Sequence, residues 1–63
     1  MYRLLVYYRD ESLPRQAAQA PSARDVQGVM ERLLAAHGGC QRLEVFAGDL
    51  RLFVVDPDGR SLP

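Results

Sequence analysis

The chain has 63 residues, and its eight basic and eight acidic side chains give a formal net charge of zero at pH 7. This length predicts one small domain over residues 1–63, and the balanced charge excludes a strong overall field toward nucleic acid or membrane surfaces. With one cysteine and one histidine, the chain can form neither an internal disulfide nor a four-ligand Cys/His zinc site.

The sequence contains no apolar run long enough to span a bilayer, and its N-terminal segment lacks the apolar core of a signal peptide. We therefore expect a cytoplasmic location and no membrane partner. All basic residues are arginine, which indicates a GC-rich bacterial genome more readily than selection for guanidinium chemistry.

Two strands are expected in the first third of the chain. Alternating apolar and polar residues, rich in aromatic side chains, predict a strand over residues 2–9. One face of this strand carries Tyr2, Leu4, Val6 and Tyr8. Residues 10–12 are typical of a turn. Residues 13–20 favour an edge strand that pairs back on the first, because Pro14 cannot donate to a central ladder. A loop or a single helical turn is the alternative.

A helix is predicted over residues 23–37. Ser22 is a good N-cap, and Asp25 three residues later suggests a capping box. Gly38 and Gly39 should end the helix in a left-handed C-cap. An apolar stripe at helical spacing comprises Val26, Val29, Met30, Leu33 and His37.

Two further strands, over residues 42–47 and 50–55, are joined by Gly48 and Asp49 in a tight hairpin. This loop predicts six apolar residues on one face, in the pairs Ala47–Leu50, Val45–Leu52 and Leu43–Val54. On the other face, Phe46 should lie opposite Arg51 and Val55 opposite Arg42. Residues 56–59 match a type I turn better than a calcium loop, which needs more oxygen ligands. Residues 60–63 are expected to form a tail.

These elements predict an α+β fold, a small two-layer β(β)αββ sandwich. One helix should pack on one face of a three- to four-stranded, mostly antiparallel sheet. The face under the helix should carry Tyr2, Leu4, Val6 and Tyr8 together with Leu43, Val45, Leu52 and Val54. The opposite, helix-free face should present an interface of Leu5, Tyr7, Arg42, Phe46, Arg51, Phe53 and Val55, with Arg3, Arg9 and Glu44 among them.

An apolar face of this size is larger than a small monomer normally exposes. It predicts a non-enzymatic protein–protein interaction or regulatory module, homodimeric through this face or bound to a protein partner such as a larger complex that it inhibits. The alternative is a single-stranded nucleic-acid-binding domain that uses the same arginine and aromatic side chains. A third interpretation is an ordinary surface on which arginine stems lie over scattered apolar groups.

His37 and Cys40 are the only residues whose types and spacing suggest catalysis. The negative end of a helix disfavours a thiolate, so we expect a structural histidine and a cysteine that fills core space. The sequence has no phosphate-binding glycine loop or nucleophile elbow. It therefore predicts no catalytic residue, no cofactor and no bound metal.

Overall fold

A computed structural model describes residues 1–63 as one helix packed on a five-stranded antiparallel sheet, an α+β fold. In chain order the elements are β1 (Tyr2–Tyr7), β2 (Gln16–Ala20), α1 (Ala23–Ala36), β3 (Arg42–Ala47), β4 (Leu50–Val55) and β5 (Ser61–Leu62). The strands lie in the order β2-β1-β3-β4-β5, so β1 and β3 occupy the middle of the sheet, and β4 is paired on its outer side only with the short β5. With 14 residues, α1 is not long and apolar enough to cross a membrane.

The first hairpin confirms an edge strand paired with β1, but this strand begins at Gln16, three residues later than predicted. β1 and β2 pair antiparallel from Tyr2 opposite Ala20 to Val6 opposite Gln16. The chain reverses after β1 through Asp10, whose φ of 64° is uncommon outside glycine and is best tolerated by Asp and Asn. Pro14 lies in the connection before β2, so the sheet does not need a backbone N–H donor from this residue.

The start of α1 agrees with the prediction at Ser22, which is the N-cap. The expected capping box is not formed, because Ser22 Oγ donates to Asp25 Oδ2 over 2.8 Å instead of accepting from a backbone N–H. Asp25 still places its carboxylate in the first turn, where the helix dipole favours negative charge.

The end of α1 lies one residue earlier than predicted, and His37 is the C-cap. The predicted left-handed cap at Gly38 and Gly39 is wrong, since neither glycine has a positive φ. The chain leaves the helix through a turn in which Cys40 N donates to His37 O over 2.9 Å. This turn places Cys40 in the core, as predicted from the sequence, and the residue is 5% exposed.

The core lies between α1 and the sheet, and α1 packs mainly on β2 and β1. Four large side chains of β1 and β3 have no exposed surface: Leu4, Val6, Leu43 and Val45. The helix contributes Val26, Val29 and Leu33. Full burial of such side chains contributes roughly 1.5–3 kcal/mol each, so this stripe holds the helix on the sheet.

The β3–β4 hairpin follows the predicted register for two pairs only. Gly48 turns the chain with a φ of 60°, and Ala47 lies opposite Leu50 as expected. A β-bulge between Val45 and Phe46 then leaves Leu52 without a partner. From that point the pairing is shifted by one residue relative to the prediction.

The bulge moves Phe53 and Val55 to the helix side of the sheet, so their predicted place on the helix-free face is wrong. Phe53 lies opposite Val45, and Val55 lies opposite Leu43 and is 3% exposed within the core. Residues 52–55 are all apolar, so either register buries apolar side chains, and alternation alone does not fix the pairing. Val54, predicted for the core, lies on the helix-free side.

The predicted tail contains a fifth strand. Asp56 Oδ1 accepts hydrogen bonds from the N–H groups of Asp58 and Arg60, each over 2.9 Å. Gly59, with a φ of 86°, donates to Asp56 O and closes the predicted turn. The chain therefore returns along β4, where Leu62 pairs with Val54. The sheet has five strands, not the three or four that the sequence predicted.

Candidate functional site

The helix-free face is the side of the sheet opposite α1, and its residues form three rows across the strands. Directly paired residues of antiparallel strands share a face, so the ladder defines each row. The first row is Gln19, Arg3, Phe46 and Arg51. The second row is Ala17, Leu5, Glu44, Val54 and Leu62. Tyr7 and Arg42 form the third row.

Five of the seven predicted interface residues lie on this face: Leu5, Tyr7, Arg42, Phe46 and Arg51. Arg9, also expected here, follows the end of β1 and is exposed in the turn. Sequence reasoning missed Val54 and Leu62. The predicted turn at residues 56–59 was the signal for Leu62, because it directs the chain back along β4.

Arginine side chains cover part of the aromatic surface. The guanidinium carbon of Arg42 lies 4.1 Å from the centre of the Tyr7 ring, and Arg42 Nε donates to Glu44 Oε2 over 2.7 Å. The guanidinium carbon of Arg3 lies 5.7 Å from the centre of the Phe46 ring. Both rings are half-buried, so the arginines shield them from water by cation–π stacking.

The helix-free face carries positive charge on a chain of zero net charge. Glu44 is 7% exposed, and its carboxylate is neutralised by Arg42. The second ion pair of the chain, Arg15 with Glu11, lies elsewhere. Arg3 and Arg51 are exposed and have no acidic partner. The unpaired charge is therefore concentrated in the first row, toward one end of the strands.

The large apolar side chains of β4 form a second exposed surface. Leu50 is 65% exposed, Leu52 43% and Phe53 39%. Leu50 and Phe53 are paired with helix-side residues of β3, but α1 packs mainly over β1 and β2 and leaves residues 50–53 of β4 exposed. An open groove of about 440 Å³ lies between Met30 and Leu34 of α1 and the turn that contains Pro57.

His37 joins the end of α1 to the first hairpin. His37 Nε2 lies 2.8 Å from Gln16 Oε1, which can only accept, so Nε2 carries the proton. His37 Nδ1 then accepts from Tyr8 Oη over 2.8 Å. Arg15 lies 3.6 Å above the centre of the Tyr8 ring, and its hydrogen bond to Glu11 raises the pKa of Arg15. This cluster holds structural elements together.

Cys40 lies close to His37 in sequence, but the two side chains share no hydrogen bond. Burial raises the pKa of the Cys40 thiol, which disfavours the thiolate that a nucleophile requires. The His, Cys, Asp and Glu side chains form no group of three or more that could hold a metal ion.

Comparison with protein-family models, curated proteins and solved structures gave no match to this chain. Two surfaces of the chain are therefore the candidates for function. One is the helix-free face with its arginine and aromatic residues, and the other is the exposed apolar side of β4.

Proposed function

We propose that the chain is a small, non-enzymatic protein–protein interaction module that forms a homodimer through its helix-free face. The observation that carries this proposal is that the five-stranded sheet has a covering layer on one face only. Leu5, Tyr7 and Phe46 are half-buried on the uncovered face, and the buried Val54 lies in the same row as Leu5, on the other side of Glu44. A second copy would cover these side chains by packing sheet against sheet.

The small core supports self-association. Only 12 of the 63 residues are buried, and chains of this length are marginally stable because they hide about 60% of their unfolded surface. A twofold dimer is the commonest assembly, and it would add apolar burial that the single chain lacks. Arg3 and Arg51 lie in the end row, where they can remain hydrated at the rim of the packed area.

The biological role that fits such a module is that of a cytoplasmic accessory or regulatory protein of bacterial or phage origin. It would act by occupying a surface of a larger complex. The exclusive use of arginine among the basic residues supports a GC-rich genome.

A single-stranded nucleic-acid-binding domain is the second candidate. It is favoured by three arginines and one glutamate beside Tyr7 and Phe46 on one sheet face. We rank it second because bases stack on free aromatic faces, whereas Arg42 and Arg3 already lie over these two rings. A base would have to displace a guanidinium group at each position.

Light scattering at micromolar concentration tests the homodimer. We expect wild type at twice the 7.1 kDa chain mass and the Leu5→Arg variant at the mass of one chain. The new arginine can pair with Glu44, which lies opposite Leu5, so the fold should be retained. Leu50→Arg is the matched control, because Leu50 lies on the other side of the sheet and this variant should stay dimeric.

Two results would contradict the homodimer. The first is a monomeric wild type, and the second is a dimer that Leu5→Arg leaves intact. A monomeric wild type that also gives a salt-dependent mobility shift of a single-stranded oligonucleotide, abolished by Arg51→Ala, would establish the nucleic-acid alternative.

A further inference from the structure

The outer edge of β4 is free over residues 50–53. On its inner side β4 pairs with β3, but on its outer side β5 pairs only with Val54 and Val55. An unpaired edge presents backbone N–H and C=O groups that can bind an added strand. This edge therefore accepts an extended segment, and its own side chains decide which segment fits.

The side chains at this edge differ between the two faces of the sheet. On the helix side, Leu50 is 65% and Phe53 39% exposed, and neither is covered by α1. On the helix-free side, Arg51 is exposed and has no acidic partner in the chain. A strand laid beside β4 alternates its side chains between these two faces.

Pairing of this edge with the same edge of a second copy is disfavoured. An antiparallel twofold pairing would bring the two Arg51 side chains together on one face, and neighbouring like charges destabilise a strand pair. The occupant that fits best is therefore a different chain with negative charge at this point.

We propose that the β4 edge binds an extended strand of another protein in which an acidic residue lies between two apolar residues. The acidic side chain would pair with Arg51, and the apolar side chains would contact Leu50 and Phe53 on the helix side. This proposal rests on the proposed function as an interaction module, but it uses the strand edge and not the centre of the helix-free face.

Amide chemical shifts of ¹⁵N-labelled protein test the site directly. The probe is a short synthetic peptide of alternating valine and glutamate, and the control peptide replaces glutamate with lysine. We expect shifts at the amides of residues 50–53, with the acidic peptide binding about fivefold more tightly than the basic one. Equal binding of the two peptides, no binding, or shifts confined to other strands would overturn the proposal.

A charge reversal provides the second arm. Arg51→Glu should reverse the preference, so that the basic peptide binds more tightly. Arg3→Glu is the matched control, because Arg3 lies in the same row on a strand paired on both sides and should leave the preference unchanged. The proposal fails if both variants change the preference equally, or if the amides of residues 50–53 become protected with rising protein concentration alone.

The two proposals fail separately. If wild type is monomeric but shows the acidic-peptide shifts, the homodimer is wrong and the edge site stands. If wild type is a dimer that Leu5→Arg dissociates, but neither peptide shifts the amides of residues 50–53, the homodimer stands and the edge site is wrong.

Discussion

β2 and β4 lie on opposite sides of the central β1–β3 pair, and the helix covers the one whose sequence is less apolar. β2 consists of alanine and glutamine, yet it lies under α1, with Ala20 fully buried and Gln16 bonded to His37. β4 contains two leucines, a phenylalanine and two valines, yet its first four residues are exposed and only Val54 and Val55 at its end are buried. The large apolar side chains at residues 50–53 are therefore left open to solvent.

This contrast shows that the lateral position of the helix, and not the hydrophobicity of a strand, decides which part of the sheet is buried. The bulky side chains at residues 50–53 of β4 remain available to a partner. This exposed apolar surface lies directly beside a core to which β1, β3 and the end of β4 contribute. Substitutions in the two regions should therefore have different effects.

The largest expected effect comes from matched leucine truncations. Leu4 is fully buried on β1, so Leu4→Ala should lower the free energy of unfolding by about 2–5 kcal/mol through lost burial and a cavity. Leu50→Ala, at a position 65% exposed, should change it by less than about 0.5 kcal/mol. Urea unfolding followed by circular dichroism measures both. Equal losses would mean that β4 is covered after all.

A smaller effect is expected from two tyrosine hydroxyls. Tyr8→Phe removes the hydrogen bond to the half-buried His37 Nδ1 and should cost about 1 kcal/mol. Tyr7→Phe is the control, since the Tyr7 hydroxyl has no hydrogen-bond partner within the chain, and it should be nearly neutral. Thermal unfolding of the two variants compares them. A Tyr8→Phe variant as stable as wild type would show that the packing of α1 on the first hairpin does not depend on this hydrogen bond.

The smallest effect concerns pH and the buried Cys40. Burial raises the pKa of this thiol in the folded state, so the unfolded chain loses its thiol proton first as pH rises. The buried, protonated Cys40 thiol therefore contributes fully to the free energy of unfolding below the thiol pKa of the unfolded chain, about 8.5. This contribution is lost as pH rises through the thiol pKa of the folded chain. Urea unfolding above about pH 8.5 should show a steeper loss for wild type than for Cys40→Ala. Parallel pH profiles would contradict this prediction.

Much of the fold was predictable because its signals are local. Alternation in β1 and β3, the N-cap Ser22 and the Gly48–Asp49 loop identified the strands, the helix and the hairpin. Because β1 and β3 are regular, the face assignments of Leu5, Tyr7 and Phe46 were also correct. Each of these features depends on a few neighbouring residues.

The remainder depends on contacts that the sequence does not specify locally. Leu52 and Phe53 are both apolar, so alternation could not show which of them opposes Val45, and two interface residues were assigned to the wrong face. The packing of α1 on β2 and β1 is a tertiary contact that no local pattern of the sequence specifies. The stacking of Arg42 on Tyr7 likewise exists only after the strands have paired.

The position of β1 between β2 and β3 has a consequence for the order of folding. The β1–β2 and β3–β4 hairpins each pair residues that are near in sequence. The β1–β3 ladder, in contrast, joins Tyr2 to Ala47. Closing that long loop carries the largest chain-entropy cost, so we expect the meeting of two preformed hairpins to set the refolding rate. The same ladder joins the two strands that supply the four largest fully buried side chains of the core.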